Sequence, residues 1–287
     1  MKNPILKRFL KNKAATVSAI ILILIILIAI FGPFVCKYDP LEQNLLEKYA
    51  KVSWDHPLGT DSLGRDILTR LIYGARVSLT IAFSGVFIGS FFGIILGTVA
   101  GYYGGAIDAV ISRIMDVLLA FPGILLAIVI VAILGNGTYN TIIAIAIFSI
   151  PTTTRIIRGN VITLRDSEYV QACKVMGRND FDILFKHIIP NTSSLIIVNV
   201  TLDLGSSILT SSSLSFLGMG VQAPNPEWGA MLSTGREVLR SYPLAVLAPG
   251  FVITIVVLAF SLVGDGLRDA LDPKLKNRWW LWKMKIF

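Results

Sequence analysis

The sequence predicts an all-α integral membrane protein with six transmembrane helices. Three observations carry this. Of the 287 residues, 54% are hydrophobic, and the mean hydropathy is +0.71, unlike a water-soluble domain. Only 15% of residues are charged, and they cluster between uncharged runs such as 14–36, 77–107 and 117–154. Lysine and arginine are also uneven. With six spans and the N-terminus inside, 18 fall on the inner side and 8 on the outer, so both termini are expected in the cytoplasm. The net charge of +8 belongs to this asymmetry. Basic residues flank apolar segments instead of forming a stripe with stacking aromatics, which argues against nucleic acid.

The first span is read over 14–36. Twenty-three helical residues reach about 35 Å, enough to cross a core of about 30 Å. Lys2, Lys7, Arg8, Lys11 and Lys13 resemble the start of a signal peptide. The apolar run is too long for one, however, and no A-x-A-like cleavage site follows it. A polar connection over 37–76 contains WDHPLGTDSLGRD, whose Pro, Gly and Asp mark turns. Asp55, His56 and Asp61 there form a weak metal signal, since one histidine with loop carboxylates has no ligand spacing.

The second span, about 77–101, carries Gly85, Gly89, Gly93, Gly97 and Gly101, with Gly105 in the same register. A glycine every four residues leaves a strip without side chains, along which another helix can approach closely, within the chain or on a partner. Asp108, Arg113 and Asp116 then mark a short polar turn. Spans three and four are read over 117–134 and 138–154, with Gly135-Asn136-Gly137 as the corner and Pro122 and Pro151 as candidate kinks.

The longest polar interruption of the C-terminal two-thirds, 163–191, fits two short amphipathic helices. Asp166 or Ser167 can cap the first and Gly177 suits its exit, while Tyr169, Ala172, Cys173 and Met176 share one face. Asn179 can cap the second, in which Phe181, Leu184, Phe185 and Ile188 repeat the spacing and Pro190 stops the run. Such an elbow can pass force from a soluble partner into the membrane, or lie on the surface without one.

The fifth span, about 195–217, holds Asp203 among hydroxyls that include Ser207, Thr210 and Ser211. A carboxylate at bilayer depth costs about 2.5–3.5 kcal/mol on insertion scales, so Asp203 should face protein or water. It either lines a translocation path or hydrogen-bonds a neighbouring helix. A polar connection over 218–243, a sixth span over 244–263 and a basic tail with Trp279, Trp280 and Trp282 complete the chain. Cys36 and Cys173 are expected on opposite sides of the membrane, where they cannot pair. Walker A, H-E-x-x-H and G-x-S-x-G motifs are all missing, so neither an ATPase nor a hydrolase is indicated.

Several stretches resemble one family. Glu168, Ala172, Gly177, Ile189, Pro190 and Asn191 resemble the cytoplasmic E-A-A…G…I-L-P loop of binding-protein-dependent ABC importer permeases, with Cys173 in place of a second small residue and Ile189 in place of leucine. HPLGTDSLGRD, GYYGGAIDAVISRIMDVLLAFPGILLA, SLSFLGMGVQAPNPEWGAML and LVGDGLRDALDP resemble the C-type permease of the dipeptide, oligopeptide and nickel branch. AIFSIPTTTRIIRGN looks most similar to glutathione-importing permeases, and nickel importers share the architecture.

The resemblance implies a type I importer permease fold in a bacterial inner membrane. It divides the chain into an N-terminal region (1–75), a permease core (76–267) and a cytoplasmic tail (268–287). It implies a second, homologous permease as heterodimer partner, two cytoplasmic ATPases carrying ATP and Mg, and an extracytoplasmic substrate-binding protein. No cofactor is expected on this chain. Glu168, Ala172, Cys173, Gly177, Phe181 and Pro190 would form the ATPase-coupling element. An ion-coupled secondary transporter is the alternative from another class; it would show inverted repeats and several buried charges.

Overall fold

Asn12 starts the first long helix, its side-chain oxygen accepting the Ala15 N–H at 3.2 Å. The computed structural model describes residues 4–272. A short α1 (Pro4–Phe9) precedes α2 (Lys13–Phe31), and a tight turn over Gly32–Phe34 ends that span close to the expected 14–36.

The loop that follows is internally paired. Lys37 meets Asp55, His56 Nδ1 lies 3.0 Å from Asp66, and Arg65 Nε donates to Asp61 at 2.7 Å, so Asp55, His56 and Asp61 point to three different partners. Asp66 also accepts the Thr69 N–H at 2.7 Å, and this cap starts α3 (Ile67–Tyr103) well before residue 77. At 37 residues α3 is about 55 Å long and outreaches a bilayer. Its early arginines are accommodated because Arg70 donates to the Pro40 carbonyl at 2.9 Å and Arg76 to the Ala29 and Ile30 carbonyls at the end of α2.

The region expected to be a polar turn and a straight third span is different. Asp108, Arg113 and Asp116 lie on a helix, α4 (Gly105–Leu119), which meets α5 (Gly123–Leu134) at 91°. Pro122 has no N–H to continue α4 and holds the residue before it away from helical geometry, so the chain turns there. With 12 residues, α5 reaches only about 18 Å and cannot cross alone. Among the described residues, five helices are therefore long and apolar enough to span, with a sixth crossing only if α4 and α5 count as one broken span.

The Gly135–Gly137 corner is as expected and leads into α6 (Thr138–Arg165), with Pro151 buried inside it. The glycine strip of α3 packs on α6 within the same chain. A Cβ on Gly85, Gly89, Gly93, Gly97 or Gly101 would come within 2.6–2.8 Å of Ile145, Ala146, Thr153, Thr154 or Arg158, in that order. Gly105 lies outside the strip, with nothing within 4 Å.

Beyond α6 come α7 (Glu168–Val175) and α8 (Asp180–Ile183). Contrary to expectation, Pro190 does not stop the second helix. A wide turn over Leu184–Ile188, closed by the Ile189 N–H on the Leu184 carbonyl, links α8 to α9 (Ile189–Phe216). An i→i+5 turn makes room where a proline ring would strike the preceding helical carbonyl, so one helix runs from the elbow through the membrane.

The 218–243 connection folds back into the bundle. Glu227 caps α10 (Trp228–Gly235), and Trp228 is fully buried beside Leu22, Ala75, Ile208 and Val256. Its indole N–H donates to the Leu71 carbonyl at 3.0 Å. α11 (Leu244–Leu271) runs past the expected 263, so residues 268–271 are its last turn. The tryptophans expected at a membrane surface in the tail lie outside the described residues.

Candidate functional site

Two features stand out on this frame: the elbow at one end of the bundle and a polar stripe on α9. Gly177 makes the elbow's corner at φ +73°, with the Arg178 N–H on the Cys173 carbonyl at 3.1 Å and the Gly177 N–H on the Lys174 carbonyl at 3.0 Å. This paired closure of a helix end needs a left-handed residue, which glycine adopts without a Cβ penalty. Ser167 stands at the N-cap of α7 but turns its hydroxyl to the Leu164 carbonyl. Asn179 caps α8 as expected, accepting the Asp182 N–H at 2.7 Å.

The elbow's two faces differ from the apolar face read from spacing. Val170, Cys173, Ile183, Leu184 and Ile188 turn inward onto Tyr102, Ile157 and Val161 at the ends of α3 and α6. Cys173 is buried, so it anchors the elbow from within and offers no surface to a partner. Tyr102 adds a bond from its O–H to Asp180 at 2.7 Å. Facing out are Ala172, Val175 (89% exposed), Met176 (68%), Phe181 (66%) and Phe185, with the two phenylalanine rings 4.3 Å apart. Glu168 is exposed in the first turn of α7, and Pro190 sits inside the continuous helix, away from the corner.

At membrane depth, Asp203 Oδ2 accepts from Ser149 at 3.2 Å, Thr153 at 3.5 Å and Asn199 at 3.2 Å. Its second oxygen has no hydrogen bond among the described residues, and the residue lines a cavity of about 200 Å³ together with Phe148, Ser149, Thr152, Ser206 and Ser207. The reading of Asp203 as a tie between neighbouring helices is met, since one oxygen joins α9 to α6, and the same residue lines a cavity. Along α9, Asp203, Ser206, Thr210 and Ser213 recur at i, i+3, i+7, i+10, all at least partly exposed.

Ser211 points the other way, buried with its hydroxyl on the Ile208 carbonyl at 3.1 Å, and does not line the stripe. Ser207 is buried too but reaches the cavity wall. Ser206 and Ser213, members of the same hydroxyl run in the sequence, belong to the stripe, where helical spacing from Asp203 places them. Back-bonded hydroxyls alone can face lipid cheaply, because each donates to a carbonyl of its own helix. The carboxylate in the same stripe cannot, and it places this face against water or protein.

A bundle of membrane-depth helices with a bent third segment, a polar face and an elbow continuous with one span is the architecture of an importer permease. The solved structures agree on the fold. Inward-facing MetNI, a methionine ABC transporter, aligns with TM-score 0.59 at 16% identity over 71% of this chain and 97% of that one. An amino acid ABC transporter gives 0.54 at 17% identity, over 69% and 92%. Residues 89–277 match the family of binding-protein-dependent transport system inner membrane components, and residues 4–51 match the N-terminal transmembrane domain of oligopeptide transport permease C.

The dipeptide transport system permease protein DppC of Alkalihalophilus pseudofirmus is 51% identical over 94% of this chain and 89% of its own length. The glutathione transport system permease protein GsiD of Shigella flexneri is 49% identical over 94% and 90%. The chain belongs to the family of inner-membrane permease components of binding-protein-dependent ABC importers. That membership sets aside an ion-coupled secondary transporter.

Proposed function

We propose that this chain is one of two homologous permease subunits of an ATP-driven importer of small peptides, with both termini in the cytoplasm. Its relatives named for dipeptide and glutathione transport support the substrate class. The observation that carries the path is the partly exposed stripe Asp203, Ser206, Thr210 and Ser213, of which Asp203 and Ser206 line one cavity with Thr152 of α6. An anionic, hydroxyl-rich wall suits the ammonium and amide groups of a peptide stripped of water.

The elbow is the coupling element of this reading. Val175, Met176, Phe181 and Phe185 form the apolar anchor for a groove on a cytoplasmic ATPase, which would carry ATP and Mg. Because α8 continues into α9, movement of the elbow displaces the stripe directly. A substrate-binding protein would deliver the peptide on the opposite side.

The test is uptake of a labelled dipeptide and ATP hydrolysis on one vesicle preparation of the assembled importer. Gly177→Val forces a β-branched residue into φ +73° with open space around it, so only the corner is disturbed. Insertion should be unchanged while peptide-stimulated hydrolysis and uptake fall together. Full activity in this variant rules out the elbow as the coupling element.

A further inference from the structure

Between α4 and α6, on the elbow side of Asp203, lies a second cavity of about 250 Å³, lined by Ser112, Met115, Asp116, Thr154, Arg155 and Arg158. We infer that this cavity reads the terminal carboxylate of the transported peptide, with Arg155 and Thr154 binding it while the ammonium end lies toward Asp203. The inference rests on the peptide-import reading and adds to it which chemical groups of the substrate the permease itself recognises.

The two arginines of the cavity are not equivalent. Arg158 is closed on Asp108, donating through both Nε and Nη2, the latter at 2.6 Å, and Ser112 donates to the same carboxylate at 3.0 Å. That pair is a finished wall between α4 and α6. Arg155 spends a single N–H, from Nη2 to Asp116 at 2.7 Å, and its side chain is 65% exposed. The rest of its planar fork is open, in the shape that takes a carboxylate through two parallel bonds.

Thr154 supplies the second, independent sign. It is buried, lines the same cavity, and its Oγ1 has no hydrogen-bond partner among the described residues. Buried hydroxyls are ordinarily satisfied, and one left open beside an under-used arginine marks a place for an acceptor from outside the chain.

Charge and spacing favour a zwitterion. Arg155 and Arg158 are balanced by Asp116 and Asp108, so a lone anion meets no net attraction, whereas a ligand with its own cation does. Asp203, a carboxylate with no ion-pair partner among the described residues, lines the neighbouring cavity, which shares α6 as a wall through Thr152. Thr152 and Arg155 are about 4.5 Å apart along the helix axis. A fully extended dipeptide spans up to about 7 Å, so its two ends can reach the two cavities. If the ion pairs served only to hold α4 against α6, neither the open hydroxyl nor the open fork would be needed.

The experiment uses the membrane complex of both permeases and both ATPases without the substrate-binding protein, so no other peptide reader is present. Equilibrium binding is measured for dialanine and for dialanine amide, which lacks the carboxylate. The unaltered complex should bind dialanine about tenfold more tightly than the amide, the worth of one charge-assisted bond to a partly solvated arginine. Arg155→Gln should bring the two affinities together, and Arg155→Lys should keep part of the difference.

Thr154→Val keeps the shape and removes the hydroxyl. It should weaken dialanine binding while leaving thermal stability equal or higher, an outcome that a structural role does not produce. An Arg155→Gln complex with the original preference overturns the inference, as does an unaltered complex that binds neither peptide. Failure of the import reading is seen separately, as absent dialanine uptake by the complete importer with its binding protein. If uptake proceeds and the preference is missing, only the carboxylate site falls.

Discussion

α6 presents two faces that solve opposite problems. Toward α3 it is dry and tight: five glycines of α3 leave no room for a Cβ, and the side chains of Ile145, Thr153 and Ile157 fill the seam. Toward α4 and α9 it is polar and open, with Ser149, Thr152, Arg155 and Arg158 lining two cavities. The tight face makes α3 and α6 one rigid body, from which the elbow hangs through Tyr102, Ile157 and Val161. The open face gives up packing and leaves polar groups exposed at membrane depth. Close packing therefore resides on one side of a single helix and polar cavities on the other.

The largest expected effect strikes the dry face. Gly93→Leu drives a side chain into Thr153 and the Ile150 carbonyl, at 2.7 and 3.2 Å from the added Cβ. Overpacking against backbone should cost about 3 kcal/mol or more. The chain should insert yet fail to yield a monodisperse complex in mild detergent. Normal yield and uptake would mean that α3 and α6 can separate, and the comparison would collapse.

On the open face, Asp203→Leu removes the acceptor for Ser149, Thr153 and Asn199 and should cost about 1–3 kcal/mol in unsatisfied donors. Asp203→Asn keeps an acceptor in place and should fold normally. Both variants should lose peptide uptake, measured against thermal unfolding of the same preparations. Full uptake by the Asn variant would reduce Asp203 to a helix tie.

A third test concerns one buried carboxyl. Glu227 lies in the dry region, buried, accepting from the Ala230 N–H at 2.8 Å and the Ser78 hydroxyl at 3.1 Å. Burial pushes its carboxyl above the ordinary carboxylate range. A folded-state value above the unfolded one stabilises fully below the unfolded value, and the contribution is lost as pH rises through the folded value. The unfolding midpoint should therefore fall from mildly acidic to alkaline pH, and Glu227→Gln should flatten that slope. An unchanged slope would assign the pH dependence elsewhere.

The smallest effect is expected at the elbow's surface. Glu168→Lys puts a cation at the positive end of α7, worth about 0.3–1 kcal/mol at an exposed site. Unfolding should hardly move, while binding of the ATPase to the purified permease pair weakens. Unaltered ATPase binding would move the docking surface away from the α7 N-terminus.

Much of this was legible in the linear chain because it depends on local rules. Uncharged length marked the spans, Gly177 and Asn179 announced the corner and the cap, and the four-residue glycine period announced a packing face. Those signals act within a few residues, so no partner need be known. What the tertiary structure decided depends on direction and distant neighbours. Spacing grouped Cys173 with Tyr169 and Met176, but the ends of α3 and α6 lie on the Cys173 side and bury it. Pro190 reads as a stop, and only the wide turn before it lets α8 run on into α9. Asp203 was visible as an anomaly, yet Ser206 and Ser213 join it and Ser211 does not, because side chains on a helix are sorted by which face another helix covers. Trp228 and Glu227 looked like loop residues, and the space left among α2, α3, α9 and α11 drew them into the core.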